Sequence, residues 1–170
     1  MAAPEAAPAL ADVTFRRPAE ADHGAILRAV EAWLGRRARA ALPRVWLRHF
    51  GATSWLAEAE DRRPVGLLVG FLSPAEADEA VAYLVAVDPN IRRQGVGAAL
   101  YVRFEADARD AGRGRVVAVV WPGDPGCVAF HRAIGFLAEA GAEARNLYGT
   151  PSIADYDGEG EDRAILVKRL

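Results

Sequence analysis

The stretch VAYLVAVDPNIRRQGVGAAL, residues 81–100, decides how the rest of the chain is read. It opens with seven apolar residues, 81–87, a run expected of a strand buried on both faces. Asp88-Pro89-Asn90 ends the run, because Pro89 has no N–H to give a strand ladder. Arg92, Arg93, Gln94, Gly95, Val96 and Gly97 lead into a helix. Val96, Leu100, Phe104 and Ala108 recur every four residues, so one face of that helix is apolar, and Gly112 lies where a helix commonly ends.

The chemistry of this loop follows from its parts. The first amides of a helix lack intrahelical partners and sit at the positive end of its dipole. Gly95 and Gly97 carry no side chain to keep an anion off the backbone, and Arg92 and Arg93 add charge and donor forks. The combination is a phosphate site. A nucleotide-triphosphate loop would need a lysine directly after its glycines, and the chain's only lysine is Lys168. A dinucleotide fingerprint would need GxGxxG directly after a strand; here Leu100 stands in the third glycine position and seven residues, 88–94, intervene. The remaining pattern, R/Q-x-x-G-x-G/A after a strand and a proline turn, fits at every position.

With that loop the chain resembles the GCN5-related N-acetyltransferase (GNAT) superfamily. A second block carries the same resemblance: Asp124-Pro125-Gly126-Cys127-Val128-Ala129-Phe130-His131, then Ile134-Gly135-Phe136. The similarity covers roughly residues 12–170. It implies a mixed α/β fold of α+β type. Its central sheet is mostly antiparallel, with helices on both faces and one splayed parallel strand pair. The residues by themselves read the same way: strand, helix and strand from 81 to 121 make one crossover unit with parallel strands, inside an otherwise antiparallel sheet.

Composition bounds the remaining classes. The 170 residues are 52% hydrophobic and 26% charged, as in a globular chain. A net charge of −2 at pH 7 argues against a nucleic-acid partner. The one cysteine, Cys127, excludes an internal disulfide and a cysteine metal cluster, and no metal site is expected. No apolar stretch reaches the ~18 residues of a membrane span. Residues 1–11, rich in Ala and Pro and without a basic start, read as a disordered leader and no signal peptide. Residues 12–170 read as one cytosolic N-acetyltransferase domain.

In chain order, a short strand is expected at 13–16 and a helix over 19–34, with a stripe of Ile26, Leu27, Val30, Trp33 and Leu34. Pro43 starts a fresh helix on which Val45, Trp46, His49 and Phe50 share a face that packs on the sheet. Residues 53–60 and 65–71 form a hairpin. Residues 73–79 read as a solvated acidic connection. Further strands are expected at 115–121, 136–139 and 164–169. A helix begins at Asp124-Pro125 and ends before Gly135. Residues 141–163 show no periodicity, as in a functional or partly disordered loop.

The resemblance assigns roles residue by residue. Backbone groups of Val85, Ala86 and Val87 would hold the pantetheine arm of acetyl-CoA, the co-substrate. Arg92, Arg93, Gln94, Gly95, Val96, Gly97 and Ala98 would hold its pyrophosphate. Asp124 stands where relatives often have a cofactor-contacting asparagine, although a helix N-cap explains it as well. His131 stands where many relatives place a tyrosine that protonates the leaving thiolate. Histidine titrates near neutrality and can serve, but it shares an apolar helix face with Cys127, Phe130 and Ile134, which suits a core residue. Tyr148 is a rival acid, with Tyr83 and Tyr156, and no spacing singles one out. Cys127 reads as core. The activity implied is direct transfer of acetyl to a primary amine of a small molecule or peptide. The carboxylates of the acidic run at 155–162 favour a cationic acceptor. The resemblance also implies a homodimer, as in many relatives. The same loop and strand would serve a non-catalytic acyl-CoA-binding sensor or interaction module.

Overall fold

The computed structural model describes residues 10–36 and 38–170. The first nine residues of the expected leader lie outside the described residues. Leu10 and Ala11 already belong to a 3-10 turn, Leu10–Asp12.

The strands are β1 Thr14–Arg16, β2 Trp55–Glu58, β3 Pro64–Leu72, β4 Glu79–Val87, β5 Arg115–Val120, β6 Leu137–Ala138, β7 Arg145–Leu147, β8 Thr150–Ser152 and β9 Ala164–Arg169. The helices are α1 His23–Leu34, α2 Ala38–Ala41, α3 Val45–Phe50, α4 Val96–Asp110 and α5 Pro125–Ala133. Among the described residues, seven strands form a sheet in the order β1-β2-β3-β4-β5-β9-β6, and β7 and β8 form a separate hairpin. β4 and β5 are the parallel pair, and the pairings of β5 and β6 with β9 are antiparallel. The mostly antiparallel sheet with one parallel pair is the expected fold class.

The chain divides into two compact units. One holds the residues up to Phe71 together with Leu84–Asp107; the other holds Leu72–Tyr83 and Ala108–Leu170. In the first unit, Ile26 and Val30 of α1, Leu47 of α3, Leu56 of β2, Leu67 and Val69 of β3 and Ala86 of β4 form one buried cluster. On its other face β3 meets α4: a Cβ at Gly66 would lie 2.9 Å from Val96 Cγ1 and 3.3 Å from both Ala57 Cβ and Leu100 Cδ1. Glycine is therefore what lets the start of α4 come down onto the strand.

Three expectations change here. The strand buried on both faces is β3, whose residues 65–70 are all buried, whereas β4 alternates and exposes Tyr83. An apolar run reports side-chain type, and what covers each face is set by the helices. Leu34, placed in the α1 stripe, is exposed. On α3 the core anchor is Leu47, while Val45 and His49 are exposed and Trp46 and Phe50 pack with Phe71 at 4.9–5.9 Å between ring centroids. Six residues make less than two turns, too few for a period of 3.6 to fix a face.

In the second unit, β5 registers with β9 from Arg115↔Arg169 to Val120↔Ala164. The connection 73–79 is less solvated in role than its composition implies. Asp78 receives the Gly114 amide on both its carbonyl (3.1 Å) and its Oδ1 (2.9 Å), and Glu79 pairs with Arg115 at 2.5 Å. The long segment after β6 also has regular structure. β7 and β8 pair from Arg145↔Ser152 to Leu147↔Thr150 across a two-residue turn, with Tyr148 at φ 53° and Gly149 at φ 80°. Two positive φ values define a turn that normally takes Asn-Gly. A tyrosine in that place hides the hairpin from a sequence reading.

Gly66→Val should overpack the α4–β3 contact and destabilise the protein by about 1–3 kcal/mol. A thermal melt should show a lower Tm than wild type.

Candidate functional site

In the first unit the loop from Asp88 to Val96 is built on buried anchors. Asp88, buried, accepts from the Asn90 amide (2.9 Å) and Nδ2 (3.0 Å) and pairs with Arg63 at 3.1 Å. Ile91 and Val96 are buried on either side of the turn. Between them Arg92 and Arg93 are exposed, Gln94 is half-buried and Gly95 is exposed. Arg93 has φ 67° and Gly95 φ 89°. A non-glycine residue in the left-handed region costs energy and is held by its surroundings, as at ligand clamps. Arg92 Nε lies 3.4 Å from the Val87 carbonyl, so this arginine also touches the end of β4. The helix begins at Val96, and its first amides open beside the two arginines, the arrangement that receives an anion. Gly97 is buried and Ala98 half-buried in that first turn.

Val85 and Val87 are half-buried and Ala86 belongs to the core. The parallel register of β4 runs from Glu79↔Arg115 to Ala82↔Ala118, and these three residues follow its last registered pair.

In the second unit, α5 opens as expected. Asp124 Oδ1 accepts from the Cys127 amide at 2.9 Å, and Pro125 takes the first helical position. Gly135, at φ 97°, ends the helix, with its amide on the Arg132 carbonyl. His131 is 3% exposed, between the rings of Phe130 and Phe136 at 5.2 and 5.4 Å between centroids. Its Nδ1 lies 2.8 Å from the Cys127 carbonyl, and because a carbonyl only accepts, Nδ1 carries the proton. Burial pushes the imidazole below the ordinary 6.5, against a smaller upward pull from that carbonyl. Burial, and then the charge of Asp124, push the Cys127 thiol up to about 11. The sulfur lies 3.6 Å from His131 Nδ1. A thiol held that firmly in its neutral form suits packing.

Tyr148 stands on the hairpin turn, 69% exposed, and its ring meets Trp121 at 6.3 Å, edge to face. Trp121, 52% exposed, is the residue directly after β5. Sequence reasoning passed over it as the end of an apolar run. The signal was Trp-Pro-Gly-Asp, a turn in which the Asp124 amide reaches the Trp121 carbonyl at 3.3 Å. Asp157 and Glu161 of the acidic run pair with Arg163 at 2.7 and 2.8 Å. Asp155 Oδ1 receives the Gly160 amide and Asp162 Oδ1 receives the Asp155 amide. Ile153 and Arg163 close the loop. Most of these carboxylates therefore hold their own loop together.

No helix among the described residues is long and apolar enough to cross a membrane, and no group of three metal-binding side chains forms among them.

The pattern described as Acetyltransferase (GNAT) family matches residues 21–136. The L-2,4-diaminobutyric acid acetyltransferase of Nocardia farcinica (strain IFM 10152) is 31% identical over 90 residues, 53% of this chain and 46% of that protein. The chain thus spans about half the length of this relative. The fold matches Ard1 from Thermoplasma volcanium with a TM-score of 0.75 at 22% identity, over 94% of this chain and 98% of that one. It also matches N-acetylglutamate synthase from Neisseria gonorrhoeae, solved with coenzyme A and N-acetyl-glutamate, with a TM-score of 0.64 at 25% identity, over 93% of this chain and 35% of that one.

Two measurements check the chemistry of α5. Alkylation of the single cysteine at pH 8 should run roughly a hundredfold slower in the folded protein than in urea, and should accelerate steeply as pH approaches 11. A wild-type rate equal to the urea rate would show the thiol to be neither buried nor raised. His131, with its pKa lowered by folding, contributes stability fully above pH 6.5, and this is lost as pH falls through the folded value. Chemical denaturation of wild type should therefore weaken below pH 6.5, and His131→Gln should weaken less over the same window.

Proposed function

Because the chain belongs to the acetyltransferase (GNAT) family, we propose that it moves an acetyl group from acetyl-CoA directly to a primary amine of a small molecule or peptide. The observation that carries this reading is the loop at 92–98. Two exposed arginines, a left-handed Gly95 and the open start of α4 meet there on a buried footing. A side chain at Gly95 would strain the backbone, and its Cβ would meet Leu10 Cδ2 at 3.3 Å; the arginines and the helix start are what suit the loop to a pyrophosphate. We assign the pyrophosphate to Arg92, Arg93, Gln94, Gly95, Val96, Gly97 and Ala98. The backbone of Val85, Ala86 and Val87 takes the pantetheine arm. Asp124 adds an acceptor for a pantetheine amide from the carboxylate lone pairs that its cap leaves over. The proposal treats residues 12–170 as one working acetyltransferase domain, cytosolic and, by family resemblance, a homodimer.

Acetyl-CoA supplies the activated acetyl thioester. The acceptor amine must be neutral to attack, and the proton it sheds passes to water or a base. A Val85 or Val87 amide polarises the thioester carbonyl. The new C–N bond forms as the C–S bond breaks, and the leaving thiolate takes a proton. His131 and Tyr148 are the rival donors. Donation by His131 needs the imidazolium, which burial disfavours. Its signature is a kcat that falls as pH rises through a value below 6.5.

We assign a cationic amine as the acceptor class. Support comes from the Nocardia relative, whose named substrate is a diamino acid, and from the acidic loop, although Asp157 and Glu161 there are already paired with Arg163.

Calorimetry tests the loop. The double variant Arg92→Ala, Arg93→Ala should bind coenzyme A about tenfold or more weakly than wild type, and equal affinities would refute the assignment. Thiol release from acetyl-CoA over a panel of amines tests the reaction. Tight coenzyme A binding without thiol release for any amine would mark a binding module in place of an enzyme. His131→Ala should lower kcat by ~10²–10⁴-fold if this histidine is the acid. An unchanged kcat with a lower Tm would make it a packing residue.

A further inference from the structure

Arg63 closes the turn between β2 and β3, and the turn is built to present it. Arg62 before it takes the left-handed region at φ 66°, where glycine or asparagine would sit at ease. The Arg63 carbonyl receives the Ala59 amide at 3.0 Å, and the Arg63 amide donates to Asp61 Oδ1 at 3.0 Å. From this fixed backbone the guanidinium reaches the residue that follows β4, where Nη1 donates to Asp88 Oδ2 at 3.1 Å. The other oxygen of that carboxylate, Oδ1, receives both the amide and the Nδ2 of Asn90. The Asp88 amide in turn donates to the Val65 carbonyl at 3.0 Å. The Asp88 side chain is 8% exposed, so its charge lies out of water, and among the described residues Arg63 is the cation that pairs with it. Arg63 Nε also lies 3.8 Å from Asp61, but that carboxylate is 55% exposed and has water to solvate it. All of these residues, with Arg92 and Arg93, belong to the first unit.

We propose that Arg63 is a positioning residue for the pyrophosphate loop and that it acts through Asp88. The inference deepens the acetyltransferase reading and rests on its assignment of the pyrophosphate to residues 92–98. The physical reason is a partition of charge. Asp88 is needed at the head of the loop, because its carboxylate holds the turn through both Asn90 donors. A buried carboxylate there also opposes the anion that the loop is to hold. Arg63 offsets that charge from outside the loop. Neither Arg92 nor Arg93 is paired with a carboxylate among the described residues, so both guanidiniums are left to a ligand. With Arg63 removed, Asp88 would keep a buried charge without its partner. Arg92, whose Nε already lies 3.4 Å from the neighbouring Val87 carbonyl, would turn to Asp88 and away from the ligand.

Calorimetry with coenzyme A reads this role without turnover. Arg63→Met should bind coenzyme A about 3- to 30-fold more weakly than wild type. Arg63→Lys, which keeps the charge but not the fork, should recover part of that loss. The deciding variant is the double substitution Arg63→Met, Asp88→Asn. It removes the carboxylate's charge along with its partner, and asparagine still offers an acceptor to the Asn90 amide. Its affinity should return toward that of wild type. In acetyl transfer, Arg63→Met should raise the KM for acetyl-CoA and leave kcat and the acceptor KM in place. A lower Tm with unchanged coenzyme A affinity would make Arg63 a stability residue and overturn the proposal. So would an Arg63→Met loss as large in the Asp88→Asn background as in wild type, since Arg63 would then meet the ligand directly. If Arg63→Met does not fold, Asp88→Asn against the double variant and Arg63→Lys against wild type carry the comparison. Wild type that binds coenzyme A, with every Arg63 variant binding it alike, would sink the positioning role and leave the loop assignment standing. A wild type that does not bind coenzyme A would overturn both. Binding that depends on Arg63, with no thiol release for any amine, would sink the transferase reading and leave the positioning role standing.

Discussion

The first unit is organised by the approach of α4 to β3 at Gly66. Val96 comes so close to the strand that a single methyl group would collide with it. That contact fixes where the helix begins, and a helix start is where its unpaired amides and positive dipole end lie. Asp88 and Ile91 hold the other side of the same turn through buried contacts. The loop can therefore carry two exposed arginines and a left-handed Arg93 without depending on them for its shape. Its backbone is set by the core beneath it, which leaves the exposed groups available to a ligand.

The second unit handles its polar groups differently. Its helix α5 opens on an ordinary N-cap, and its two titratable neighbours, Cys127 and His131, are both driven toward their neutral forms by burial. Neutral and paired groups stabilise a helix face at little cost. The exposed chemistry of this unit lies instead in turns, at Trp121 and at Tyr148, where backbone conformation holds aromatic rings in the open. Recognition built on turns next to a rigid sheet is the usual division of labour between loops and scaffold.

The acidic run at 155–162 shows how composition misleads. Read as sequence, it is a belt of negative charge facing solvent. In the fold, Arg163 takes up two of the carboxylates and two more accept backbone amides within the loop. Those four carboxylates shape the loop as well as charging it. The β7–β8 hairpin was hidden for a related reason. Its turn carries Tyr148 where the common signal would be asparagine, and the left-handed conformation that marks it is a property of the backbone.

From the sequence alone came the class of sheet, the parallel pair around α4, the glycine turn that opens α4 and the capped start and end of α5. Each rests on local rules: apolar periodicity, proline and glycine at element ends, and arginines beside a helix start. Such rules act over a few residues, and a string of letters contains them. Only the tertiary structure decided that β3 and not β4 is buried on both faces, that Leu47 anchors α3, that His131 is sealed between two rings, and that Trp121 and Tyr148 meet across 27 positions of chain. These depend on which surfaces cover one another. Burial is a property of the neighbour as much as of the residue, so it becomes legible only when the distant parts of the chain have been brought together.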